Sequence, residues 1–559
     1  MRTLVVLCFV LALAPTAGAV DATSCIRTAG GAATTCLRKW LTTVERCRGQ
    51  QDTACEAAAR ADNGPLAQLV SIAQAATGNC DDATAVALGY QSLADVGVRT
   101  HDACGDWGEA FLAATWSSTA GLSGRGLACQ RTIAKAVGHI RTAVVAAYGP
   151  NCYLRKTAGK SCRRPTRDRA NRQAAADAHQ RIMRACGATY PIVSRTPLDA
   201  LITNAITLSR HFAQQVYPPN DLGPTAALGD YPVGLRTVPL LDATRTNVAG
   251  TGPRPVTVEI YYPTTPAAVA GLPRDIAQVL GVDVATVPAW RDVALRPGTY
   301  PLIVFSHGNN GIRIQSFFFG AHLASHGFIV VSADHHGNTF PDTLAGIVDP
   351  QVASNRPRDL SFVITQMLAF NDDPTSLWHG AIDPTKIGAS GHSFGGYTAF
   401  ALAGGEIGSL GSFADARVKA ILPQAPAAPF SDSFFQAIHI PTLIVGGSID
   451  QTTPFATEQQ APFDRLPSGA AVVGLAELTD AGHFTFSDFC EVDRVLLGFL
   501  GGFSEACEPR HLPFRHAHDI TNYLALNFFD GVLNGNTAAL GRLDPTVVSA
   551  IEDLRFERK

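Results

Sequence analysis

Cysteine is missing from the middle of this chain. None occurs between Cys186 and Cys490, whereas ten of the thirteen lie between Cys25 and Cys186. Charge is scarce as well. Asp, Glu, Lys and Arg make up 16% of the 559 residues and leave a formal net charge of −3, which provides no overall attraction to nucleic acid or an anionic membrane. A hydrophobic content of 46% excludes a disordered chain. No stretch reaches the ~18 unbroken apolar residues of a membrane-spanning helix. No C-x2-C pair is present, which argues against the common zinc sites, and no metal is expected. No phosphate-binding glycine loop or dinucleotide fingerprint follows any predicted strand, so no cofactor is expected either.

What is there begins with Arg2 and an apolar run from Leu4 to Ala14, followed by Ala17-Gly18-Ala19. This is the pattern of an export signal over residues 1–19, cleaved to leave a secreted, periplasmic or cell-surface protein. Cys8 lacks the preceding small residue of a lipoprotein site. Its removal with the signal leaves twelve cysteines, an even number suited to disulfides in an oxidising compartment.

The length predicts two or three domains. Residues 20–189 are expected to form a cysteine-rich helical module. Cys55, Cys80, Cys104, Cys129 and Cys152 recur at intervals of 23 to 25 residues, and Ile133, Val137, Ile140 and Val144 keep helical spacing. Helices so rich in alanine bury little apolar area, and cross-links supply what packing cannot. From Arg155 to Arg184 ten basic residues face only Asp168 and Asp177. They suit either contact with an anionic surface or a solvated helix face.

Residues 190–228 read as a linker by composition, with one helical stretch near Leu198–Val216 before a segment rich in proline and glycine. Beyond it, 229–559 change character. Apolar β-branched runs at 256–262, 302–307, 328–334, 386–392, 418–423, 442–447 and 470–478 alternate with helical stretches. That order implies an α/β fold with a mostly parallel sheet, whose site lies beyond the strands' C-terminal ends.

Gly391-His392-Ser393-Phe394-Gly395-Gly396 stands between a predicted strand and a predicted helix. A G-x-S-x-G corner of this kind exposes the serine hydroxyl as a nucleophile. The hydroxyl needs a base, and the base a carboxylate, in the order serine, acid, histidine. Asp450, after the strand TLIVGG, and His483, after the next strand, meet that order. Asp480 and Glu458 are the rival acids; His511, His516 and His518 are the rival bases. His392 is read as a packed or hydrogen-bonded neighbour. An oxyanion would be held by the backbone N–H of Phe394 and that of Asn309, with Asn310 as the alternative. Asp334-His335-His336 could suggest a metal, but adjacent histidines on an extended chain point apart and no further clustered ligands are evident, so it is read as a loop lining the pocket. Cys490 and Cys507 are expected to pair across the helix between them.

The segment FSHGNNGIRIQSFFFGAHLASHGFIVVSADHHGN, followed by GHSFGG, resembles the platelet-activating-factor acetylhydrolases and bacterial dienelactone-hydrolase-like esterases. YPVGLRTVPLLDATR and VTVEIYYP resemble their opening strands. LASHGF and the loops of Asp450 and His483 are similar to bacterial polyester hydrolases of the cutinase type. The resemblance covers 229–530 and implies an α/β-hydrolase fold, with the Asn309 position supplying an oxyanion amide. Gln424 departs from the acetylhydrolases, which have their acid there, and Ser393 departs from the cysteine nucleophile of true dienelactone hydrolases.

These readings predict a secreted serine esterase acting through an acyl-Ser393 intermediate on a small-molecule, lipid or polymer ester. A polyester hydrolase, or a lipase or phospholipid acetylhydrolase, is the alternative enzyme. A surface polymer-binding protein with a vestigial hydrolase domain is the alternative of another class. The helical module shares no evident chemistry with the hydrolase region, which is therefore expected to work without it.

Overall fold

A computed structural model of the chain describes residues 22–75, 80–81, 84–85, 88, 90, 93–116, 122, 124–149, 151–152, 164–217, 222–491 and 504–559. The expected signal at 1–19, the basic residues 155–163 and most of the helix expected between Cys490 and Cys507 lie outside them.

The N-terminal third is helical. Its long helices are Ala22–Gly49, Leu93–Thr115, Gly124–Tyr148 and Arg164–Cys186. In the third, Ile133, Val137, Ile140 and Val144 are buried, as their spacing requires. Disulfides join Cys25 to Cys80, Cys36 to Cys104, Cys47 to Cys55 and Cys129 to Cys186. All four close within this module.

The segment 190–228 differs from its reading as a linker. Helix Leu198–Val216 carries Leu201, Ile202, Ala205, Leu208 and Phe212 on one stripe, and they pack into the helical core together with Tyr217. From Leu222 onward the chain already belongs to the other core. The apolar stripe, not the proline-rich flank, decides where the helix goes.

The remainder is built on a sheet. Its strands are β1 (Val233–Thr246), β2 (Pro253–Pro263), β5 (Trp290–Arg291), β6 (Tyr300–Ser306), β7 (Ile329–Ala333), β8 (Ile382–His392), β9 (Val418–Gln424), β10 (Thr442–Gly447), β11 (Val473–Leu478) and β12 (Leu554–Arg558); β3 (Ile276–Val279) and β4 (Val282–Thr286) form a separate hairpin. The sheet order is β12-β11-β10-β9-β8-β6-β7-β2-β1-β5. Strands β7, β6, β8, β9, β10 and β11 run parallel, and β2 and β12 pair antiparallel to the two ends of that block. Along β6, Leu302 and Val304 enter one apolar cluster and Ile303 and Phe305 the other, so both faces are covered. Helices Phe317–Ser325 and Phe514–Leu533 cover the Ile303 face, and Val352–Asp372 and Phe394–Ala401 the opposite one.

Candidate active site

Ser393 stands where β8 turns into helix Phe394–Ala401, with φ 59° and ψ −117°. That backbone conformation is costly for a residue with a side chain and persists only where the surroundings enforce it. Here the turn is pressed against β6. A Cβ on Gly395 would lie 1.8 Å from the Ser306 carbonyl oxygen, and one on Gly391 would lie 2.4 Å from that of Gly395. The Ser393 N–H donates to the Gln424 carbonyl at 2.9 Å, and its own carbonyl accepts from Gly396 at 2.9 Å and Ala427 at 3.1 Å.

The loops after β10 and β11 bring two more groups to this corner. The His483 Nε2 lies 2.9 Å from Ser393 Oγ, and its Nδ1 lies 2.8 Å from Asp450 Oδ2. All three side chains are buried. Asp450 Oδ1 accepts from the N–H groups of Thr452 (2.9 Å) and Thr453 (2.7 Å), and the Thr453 hydroxyl donates to Oδ2 at 2.8 Å. That hydroxyl is also 3.1 Å from His483 Nδ1. Thr453 was not singled out from sequence. Its signal is the spacing of Asp450-Gln451-Thr452-Thr453, an aspartate that bonds backbone groups two and three residues on. A serine hydroxyl facing one imidazole nitrogen, with a carboxylate on the other, can pass its proton to the ring as its oxygen attacks.

The rival groups point elsewhere. Asp480 accepts from Arg210 at 2.6 Å, and Glu458 accepts from the Ala428 N–H at 2.6 Å. His518 stacks on Phe318 at 3.5 Å and bonds the Ser487 carbonyl, and His516 lies 3.5 Å from Asp553. His511 is buried. Gln424 donates to Ser390 Oγ at 3.2 Å.

The loop after β6 passes directly beside the serine, since a Cβ on Gly308 would be 3.4 Å from that of Ser393. Among the described residues, neither the Phe394 nor the Asn309 N–H has an acceptor within the chain. The side chains of Asn309 and Asn310 accept from Asn338, at 2.8 and 3.2 Å. Beneath the loop lies Arg356, wholly buried, which the sequence reading did not single out. It donates to the His307 carbonyl at 2.6 and 2.8 Å and to the Gly308 carbonyl at 3.0 Å. The Gly308 carbonyl and the Asn309 N–H share one trans peptide, so a donor fixing the oxygen aims the N–H the opposite way. The guanidinium also lies 4.6 Å over the Phe394 ring. Burial pulls its pKa down to about 9, which leaves it charged at neutral pH.

A second chain of bonds ties His483 to this loop. His392 Nε2–H donates to the His483 carbonyl at 2.9 Å, and Gln315 Nε2 donates to His392 Nδ1 at 2.8 Å. Gln315 Oε1 accepts from the Gly308 N–H at 3.0 Å. Burial, and then the neighbouring His483, hold the His392 pKa well below the ordinary value, in keeping with this neutral tautomer.

His335 differs from its reading as a pocket residue. It is buried between Ser306 Oγ at 2.8 Å and Asp359 at 3.0 Å, and Asp359 in turn pairs with Arg254 at 2.8 Å. Burial draws its pKa down to about 4. His336 lies 3.8 Å from Asp342.

A family model described as PET hydrolase-like matches residues 243–497, the span that holds Ser393, Asp450, His483, Asn309 and Arg356. The chain belongs to the α/β-hydrolase superfamily. Within the superfamily, it is 28% identical over 186 residues to Cutinase 2 of Thermobifida cellulosilytica, covering 33% of this chain and 61% of that protein. Cutinase est1 of Thermobifida alba is 29% identical over 186 residues, 33% of this chain and 54% of its own length. The bis(hydroxyethyl) terephthalate hydrolase of Streptomyces coelicolor is 28% identical over 238 residues, 42% of this chain and 66% of its own. The chain thus spans less than two thirds of the cutinases it matches. A solved ferulic acid esterase from Streptomyces cinnamoneus superposes with a TM-score of 0.44 at 24% identity, covering 58% of this α/β-hydrolase chain and 96% of that one.

Proposed function

We propose that this chain is a secreted serine hydrolase of carboxylic esters, of the cutinase or polyester-hydrolase kind. The observation that carries the reading is the unbroken relay from Ser393 Oγ through His483 to Asp450, at 2.9 and 2.8 Å. Ser393 attacks the ester carbonyl while His483 takes its proton. The imidazolium is steadied by Asp450 and returns the proton to the departing alcohol. Water then repeats the cycle on the acyl-Ser393 intermediate. The N–H groups of Phe394 and Asn309 hold the oxyanion. The intact relay favours an enzyme over a polymer-binding protein with a vestigial domain.

The polyester preference is supported by the PET hydrolase-like match and the terephthalate-ester hydrolase among the relatives. Half-buried Phe394 and Phe484, next to Ser393 and His483 in sequence, suit an aromatic or bulky acyl group. Export is supported by five disulfides among the described residues. Contact with an anionic surface gains no support. Arg167 is buried against Glu552 at 3.1 Å, and Arg155 to Arg163 lie outside the described residues.

The test is hydrolysis of p-nitrophenyl esters of graded chain length, bis(hydroxyethyl) terephthalate and an amorphous polyester film, with Ser393→Ala as the blank. Turnover of soluble esters with release of acid from the terephthalate ester is expected. Inactivity on every ester by folded protein would refute the proposal.

Arg356→Met is expected to lower kcat by roughly ten- to a hundredfold with KM little changed. It leaves the Asn309 amide in place but less firmly aimed, with the Gly308 carbonyl held only by His307 Nδ1 at 2.7 Å and the Gly311 N–H at 3.1 Å. Removing an oxyanion donor outright, by contrast, costs about a hundred- to a thousandfold. Steady-state kinetics on a p-nitrophenyl ester, with circular dichroism as the check on folding, measures this. Wild-type kcat in the variant would show that the loop aims itself.

A further inference from the structure

We propose that the helical module positions the active-site histidine. Arg210, on helix Leu198–Val216, clamps Asp480 at the start of the loop that carries His483. The inference rests on the proposed hydrolase reading and runs against the expectation that the hydrolase region works alone.

The contact is built rather than incidental. Arg210 Nη2 donates to Asp480 Oδ2 at 2.6 Å, and its Nη1 lies 3.3 Å from Asp553 Oδ1. Asp553 accepts, through its carbonyl, the N–H of Thr479 at 2.8 Å, so one guanidinium grips both sides of the end of β11. His211 steadies that guanidinium. Burial lowers its pKa and keeps it neutral, and its Nε2 lies 3.2 Å from Arg210 Nη2 while Nδ1 donates to the Pro509 carbonyl at 3.0 Å. Gln214, one turn further along, donates to the Asp553 carboxylate. Arg210 and His211 are both largely or wholly removed from solvent, so these bonds are little screened.

Asp480 sits where a small shift matters to the relay. It holds a left-handed φ of 61°, a conformation that needs support in a residue with a side chain. Its N–H donates to Ser448 Oγ at 2.9 Å, and its carbonyl accepts from Leu512 at 2.7 Å. The next residue, Ala481, accepts from the Ile449 N–H at 3.1 Å. Asp450 is thus one residue and His483 two residues from the bond that joins their loops. The far end of the His483 loop is anchored to the module too. Glu491 pairs with Arg515, whose Nε lies 3.4 Å from Asp95 on helix Leu93–Thr115. His483 therefore lies between two points tied to the module, Asp480 and Glu491.

The experiment uses the full chain with Arg210→Leu and Arg210→Lys, and with Arg60→Ala as a control. Arg60 pairs with Glu109 inside the module. The readouts are kcat and KM on p-nitrophenyl butyrate, the rate of fluorophosphonate labelling of Ser393, and Tm. Misplacing a catalytic group by a fraction of an ångström to one ångström costs up to about a hundredfold, so Arg210→Leu is expected to lose about tenfold or more in kcat. Its labelling rate should fall in step, with KM close to wild type. Arg210→Lys should regain most of the loss, and Arg60→Ala should match wild type. If Arg210→Leu does not accumulate as folded protein, Asp480→Asn, which keeps the shape and removes the charge, is read in its place with the same expectation. Wild-type kcat and labelling in either folded variant would overturn the clamp, as would a lysine variant no better than leucine. A wild-type chain that neither hydrolyses nor labels would instead overturn the hydrolase reading, and the clamp with it.

Discussion

Ser393→Ala is expected to lower ester turnover by about four to six orders of magnitude while leaving the fold intact. The size of the loss follows from the geometry. His483 Nε2 has no other hydroxyl in the relay to deprotonate, and the Ser393 oxygen is the atom that would carry the acyl group. What remains is binding and the oxyanion donors, worth about a thousand- to ten-thousandfold over water. The fold should survive because Ser393 is held by its backbone, through Gln424, Gly396 and Ala427, rather than by its hydroxyl. Alanine keeps those bonds. A folded variant retaining more than about a hundredth of wild-type turnover would remove Ser393 from the reaction.

Asp450→Asn is expected to cost about ten-thousandfold, because an amide in place of the carboxylate favours the wrong imidazole tautomer and cannot steady the imidazolium. Asp450 Oδ2 is the group 2.8 Å from His483 Nδ1, and its other oxygen is already committed to the Thr452 and Thr453 N–H groups. Asparagine can present its oxygen to those amides, but its NH2 then faces His483. Asp480→Asn should cost far less, since its carboxylate meets Arg210 and acts on His483 only through the backbone between them. Comparison of the two variants by kcat on one soluble ester measures the difference. The reverse ranking would move the acid to Asp480.

Much of the hydrolase region was legible because its chemistry is local. The seven apolar runs read as strands correspond to β2 and β6 to β11, since burial on both faces demands unbroken apolar sequence. The G-x-S-x-G corner could be placed for the same reason, as strand, turn and helix follow one another directly from Ile382 to Ala401. Strand β12 was missed. Its Leu-Arg-Phe-Glu-Arg alternates charge with apolar residues at the sheet's edge, where one face meets solvent. The hairpin of β3 and β4 is largely exposed and lacks an apolar run to announce it.

The relations between distant residues were not legible. Arg356 reads as an ordinary helix charge beside Pro357, and only the fold turns it beneath Gly308, 48 residues away in sequence. Arg210 and Asp480 are 270 residues apart, and each alone resembles a surface charge. Asp480 could be weighed as a rival acid because it stands near His483, but its partner could not be named. Helix Leu198–Val216 was visible as a helix. Its assignment to a linker failed because composition describes the flanks, whereas the stripe from Leu201 to Phe212 decides what it packs against.

The most direct test of the account is to react the full-length protein with a fluorophosphonate and map the adduct by peptide mass spectrometry. The account predicts one adduct per chain, on Ser393, lost in Ser393→Ala and strongly slowed in His483→Ala. Hydrolysis that continues with no label on Ser393, or a label that forms as fast without His483, would contradict it.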